Sequence, residues 1–86
     1  MKKDILNKVI KMFQEELEDD AIVITGNSNI MDDLEMSSFE IYSIIERLEE
    51  EFNLEITDEL MRNIIYIKDI VDIICKLSGD NEWWKQ

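Results

Sequence analysis

Apolar residues recur along this chain in stretches spaced for helix, and between them the period is lost. Ile5, Leu6, Val9, Ile10, Phe13 and Leu17 fall on one face and predict a first helix over residues 3–18. Ile41, Ile44, Ile45, Leu48 and Phe52 form the core stripe of a second helix over 38–52. A short third helix is expected over 58–65. Thr57 is its N-cap, Asp58 and Glu59 favour the positive end of its dipole, and Ile56 and Met61 stand as a hydrophobic staple. A fourth helix is expected over 68–77, with Ile70, Ile73, Ile74 and Leu77 inward and Gly79 as C-cap. Residues 19–36, "DDAIVITGNSNIMDDLEM", carry no helical period. "AIVIT" is β-branched enough to be extended but has no evident partner strand. A connection this long in a small domain is either functional or anchored. Ile22, Ile24, Ile30, Met31 and Leu34 are the candidate anchors. The pattern describes an all-α bundle of three longer helices and one short one. It forms a single domain over 1–79, with a tail, 80–86, outside the bundle.

Composition supports helices: among 86 residues there is no proline and only two glycines, while 45% are apolar. The net charge of −12 disfavours nucleic acid and anionic lipid and favours partners with basic patches. Lysines crowd the first half of the first helix and acids its end, against its dipole, so packing must hold it. No apolar run approaches the roughly 18 residues of a membrane span. The opening "MKKDILNKVI" lacks the unbroken apolar stretch of a signal peptide. With Cys75 the single cysteine, no internal disulfide can form, and a cytoplasmic location is expected. Histidine is absent, which removes the Ser-His and Cys-His nucleophile pairs and the commonest general base. The chain is not expected to be an enzyme.

Counting around the second helix separates a second face. Phe39, Ser43, Glu46 and Glu50 lie together, opposite the core stripe. From Glu40 to Glu59 there are eight acidic residues and one basic, Arg47. A run of acids is ordinarily a solvated face. With an aromatic among them, they also suit a basic partner, charge speeding encounter and Phe39 supplying contact area.

That helix begins at "EMSSFE". Ser37 with Glu40 three residues on is a capping-box pattern, in which each side chain satisfies the other's backbone N–H. The cap is complete without Ser38, which stands exposed at the first helical position.

Residues 32–74, "DDLEMSSFEIYSIIERLEEEFNLEITDELMRNIIYIKDIVDII", resemble the acyl carrier proteins. Asp33 and Leu34 match the start of that family's signature and Ser38 its modified serine, with "LEEEF" and "EITDE" following without a gap. The resemblance implies a four-helix bundle whose 4'-phosphopantetheine arm is placed on Ser38 by a phosphopantetheinyl transferase, from coenzyme A. Acyl groups would ride on it as thioesters between acyl-transfer or synthase enzymes with basic docking patches. The carrier would be a monomer, with Phe39, Ser43, Glu46, Arg47 and Glu50 on its partner-binding face. Ser37 replaces the family's aspartate, Phe39 its leucine and Glu35 a frequent glycine; Glu46 and Arg47 depart from the fatty-acid carriers. A specialised carrier, serving a polyketide-like or other dedicated pathway, therefore stands beside fatty-acid synthesis, with an aminoacyl or peptidyl carrier as the alternative. Outside the carrier class stand an unmodified acidic adaptor and an inhibitor acting through charge.

Of the remaining residues, Cys75 reads as a small buried hydrophobe, and Tyr42 as structural, at the edge of the core stripe. Asp19-Asp20 and Asp32-Asp33 lack the ligand alternation of a calcium loop, and no dedicated metal site is expected. Trp83 and Trp84 read as packing back on the bundle or as disordered, with a docking tail as the other reading.

Overall fold

The computed structural model describes residues 2–19 and 21–77, with Lys2 described by its backbone alone. The expected C-cap at Gly79 and the tail with Trp83 and Trp84 lie outside the described residues. Four helices follow in order: α1 (Lys2–Leu17), α2 (Ser38–Phe52), α3 (Asp58–Met61) and α4 (Ile67–Leu77). Among the described residues there is no strand, only an isolated antiparallel bridge between Asn29 and Tyr66.

The core is the meeting of three apolar stripes. Val9, Met12 and Phe13 of α1, Ile44, Ile45 and Leu48 of α2, and Ile67, Ile70, Val71, Ile74 and Cys75 of α4 are buried together. α1 lies chiefly along α4 and more sparingly against α2. Packing does hold α1, assisted by ion pairs that link its acidic end and Lys8 to α2. Ile41 and Phe52, expected in the core stripe, are half-buried at its ends.

The inward face of α4 is rotated from the expected one. Leu77 is 43% exposed and Ile73 only half-buried, while Val71 and Cys75 point inward. The buried positions 67, 70, 71, 74 and 75 are the i, i+3, i+4, i+7, i+8 set of one helical face.

The long connection is anchored by backbone. Gly26 O accepts from Lys68 N–H at 2.9 Å, Ser28 O from Ile67 N–H at 3.1 Å, and Ile65 O from Ile30 N–H at 3.0 Å. Ile24, Ile30 and Leu34 are buried as expected, and Met36 joins them, but Met31 is 58% exposed. The Asn29 side chain explains that correction. Its Oδ1 accepts from the N–H groups of both Met31 and Asp32, turning the chain so that Ile30 enters the core and Met31 leaves it. The same pairing shortens α3. The helix starts as expected, with Thr57 Oγ1 accepting from Leu60 N–H at 3.2 Å. It ends at Met61 instead of running to residue 65, because Ile65 and the residues after it are drawn out to meet the loop.

Candidate functional site

The start of α2 is fixed by both halves of its capping box. Ser37 Oγ accepts from Glu40 N–H at 3.2 Å, and Glu40 Oε1 accepts from Ser37 N–H at 2.9 Å. Ser37 is extended, at φ −77° and ψ 165°, and the helix begins with Ser38. Ser38 is exposed, and its hydroxyl makes no hydrogen bond among the described residues. Just ahead, Leu34 and Met36 are buried on either side of exposed Glu35, which is forced into the left-handed region at φ 53°. Two apolar anchors around one strained residue set where the serine pair emerges.

Ser38 opens onto a groove of about 310 Å³ lined by Met31, Ile41, Tyr42, Asp58, Met61 and Arg62. Its walls come from the loop, from α2 and from α3. Two features that the linear pattern did not reveal are explained by it. Tyr42 is 56% exposed, not packed at the edge of the core, and it shares the groove with the displaced Met31. Arg62 is the single cation on the groove wall. The signal available in the sequence was Tyr42, an aromatic beside the core stripe of α2 and not on it.

On the outer face of α2, Phe39 is 82% exposed, Glu46 and Glu50 are exposed, and Ser43 is half-buried. Arg47 reaches instead toward α1. Its guanidinium donates to Glu15 Oε1 at 3.0 Å and Glu16 Oε1 at 3.1 Å on α1, and those bonds, Glu15 first, raise its pKa above the ordinary arginine value. Glu51 pairs with Lys8 of α1, whose hydrogen bond lowers the Glu51 carboxyl pKa. Glu49 is likewise structural: its Oε2 accepts from Ile56 N–H at 2.7 Å and fixes the turn between α2 and α3. Cys75 is buried, and no group of side chains among the described residues is arranged to hold a metal ion. No helix among them is long and apolar enough to cross a membrane.

The chain matches the family model of the phosphopantetheine attachment site over residues 7–74. It is 38% identical over 74 residues to an acyl carrier protein of Buchnera aphidicola, a match covering 86% of this chain and 95% of that one. An acyl carrier protein of Lactobacillus acidophilus is 34% identical over 77 residues, covering 90% and 96%. Among solved structures, a Mycobacterium tuberculosis chain described provisionally as an acyl carrier protein superposes with a TM-score of 0.78 at 26% identity, over 84% of this chain and 96% of that one. The chain belongs to the phosphopantetheine-attachment family. Its place there is among the acyl carrier proteins, whose covalent cofactor is 4'-phosphopantetheine. The residues at the start of α2 fit such a group: an exposed hydroxyl outside the cap, a helix N-terminus that favours negative charge, and an adjoining groove with apolar walls and one cation.

Proposed function

We propose that Ser38 is the attachment residue, and that the protein carries acyl groups between separate enzymes of a fatty-acid or polyketide-like pathway in the cytoplasm. The observation that carries this reading is the division of labour at the start of α2. Ser37 and Glu40 satisfy each other, so the neighbouring hydroxyl stays in water at a helix N-terminus. In the modifying step, Ser38 Oγ forms a bond to phosphorus of the coenzyme A pyrophosphate while adenosine bisphosphate leaves. The base that removes the serine proton belongs to the transferase, in keeping with the absence of histidine here. The phosphodiester charge is favoured at the N-terminus of α2 by about 0.3–1 kcal/mol. When attached, the group supplies a thiol that holds acyl cargo as a thioester.

The chain's own residues then do two things. Met31, Ile41, Tyr42 and Met61 offer the cargo an apolar wall, on which each covered methylene is worth up to about 0.8 kcal/mol. Phe39, Ser43, Glu46 and Glu50 present an aromatic contact among carboxylates to partners with basic patches, the transferase among them. Arg47 serves that face indirectly, by tying α2 to α1.

The decisive experiment is intact mass after incubation with coenzyme A and a broad-specificity phosphopantetheinyl transferase. One arm is gained by the wild type and by Ser37→Ala, and none by Ser38→Ala. Failure to gain an arm with several transferases would instead favour an adaptor that keeps the carrier fold and uses only the Phe39 face.

A further inference from the structure

The groove beside Ser38 has a polar end that an acyl chain alone does not explain. Asp58 and Arg62 stand one turn apart at the two ends of α3, and both line the same groove as Ser38. Arg62 is exposed, and its side chain makes no ion pair among the described residues, although the chain carries 21 acidic side chains. The two arginines thus behave differently. Arg47 is held by Glu15 and Glu16, whereas Arg62 projects its charge into the groove that receives whatever Ser38 carries.

We propose that Arg62 is a positioning residue for the arm, its guanidinium pairing with the phosphodiester oxygens once the group is on Ser38. This rests on the reading of Ser38 as the attachment residue. A phosphodiester there adds a negative charge beside Asp58, on a chain whose net charge is already −12. Arg62 is the group on the groove wall that can offset it, and a guanidinium matches phosphate oxygens with two parallel N–H donors. The pairing biases the arm toward the groove side of α2. The cargo thereby starts from the wall formed by Met31, Tyr42 and Met61, on a different side from Phe39. Being exposed, the pair shifts the balance between arm-in and arm-out by no more than about fivefold, and less at high salt.

The test uses proton–nitrogen NMR of the Arg62 Nε–H and phosphorus NMR of the arm. Apo and arm-bearing forms are compared for the wild type, Arg62→Gln and Arg62→Lys. Attachment is expected to shift the Arg62 Nε–H resonance. The phosphorus resonance should depend on salt in the wild type, partly in Arg62→Lys, and least in Arg62→Gln. A cargo carboxylate presents the same anionic chemistry, so acetyl- and malonyl-loaded protein form a further arm. If Arg62 is silent on attachment and responds to malonyl alone, the phosphate assignment is overturned and Arg62 reads the cargo. If it responds to neither, the inference falls outright. In both cases an arm found by mass on Ser38 leaves the attachment reading intact, whereas an arm missing or on another residue overturns that reading itself.

Discussion

Glu40 N–H donates to Ser37 Oγ at 3.2 Å while Ser37 N–H donates to Glu40 Oε1 at 2.9 Å. This reciprocal pair separates the duties of two adjacent serines. Ser37→Ala should lower unfolding free energy by about 1 kcal/mol in a denaturant titration. Ser38→Ala should change it by less than about 0.5 kcal/mol. Equal losses would mean that the cap is shared and that the second hydroxyl is not idle.

Glu35 carries backbone strain next to the site. It is exposed at φ 53°, where a residue with a Cβ is disfavoured by about 1–2 kcal/mol, and glycine recovers most of that at an entropic cost in the unfolded chain. Glu35→Gly should therefore stabilise by about 0.5 kcal/mol, and Glu35→Val should destabilise by about 1 kcal/mol. Thermal melts of the two variants check the sign, and a stabilising valine would contradict the left-handed conformation.

The Lys8–Glu51 pair makes stability depend on acid. Hydrogen bonding by Lys8 holds the Glu51 carboxyl below its ordinary 4.5 in the folded state. A group depressed on folding contributes stability above its unfolded pKa and loses it as pH falls through the folded value. Melting temperature should decline as pH drops below about 4.5, and Glu51→Gln should make that decline shallower. An identical profile for the variant would remove this pair as a contributor.

Phe39→Ala removes a ring that is 82% exposed. Stability should change by no more than about 0.5 kcal/mol, while the rate of arm attachment at limiting carrier falls severalfold. A large drop in melting temperature with unchanged processing would show instead that the ring packs on the domain.

Local patterning made α2 and its cap legible, because the capping box fixes the helix's first residue and its first residue fixes the phase of every face. It served α4 less well. Ile70, Val71, Ile73, Ile74, Cys75 and Leu77 are apolar on too many sides for periodicity to choose one, and the choice is made by packing against α1. The end of α3 and the outward turn of Met31 were hidden for other reasons. Met31 is turned outward by the Asn29 side chain, a local turn that hydrophobic period does not register, and the end of α3 follows from hydrogen bonds between residues 26–30 and 65–68, which are distant along the chain. The groove was out of reach for the same reason, since its walls come from three separate elements. Ser38, Glu46 and Glu50 emerged exposed where the faces had been counted, whereas Arg47 found partners on α1 that no count around α2 could reveal.

The seam between the loop and the start of α4 divides one slack connection into two short spans. The second span runs only from Ile30, held by its N–H to Ile65 O, to the cap at Ser37, so closing it costs little entropy. Loosening that seam would lengthen the free stretch ahead of α2 and raise the entropic cost of seating Leu34 and Met36 in the core.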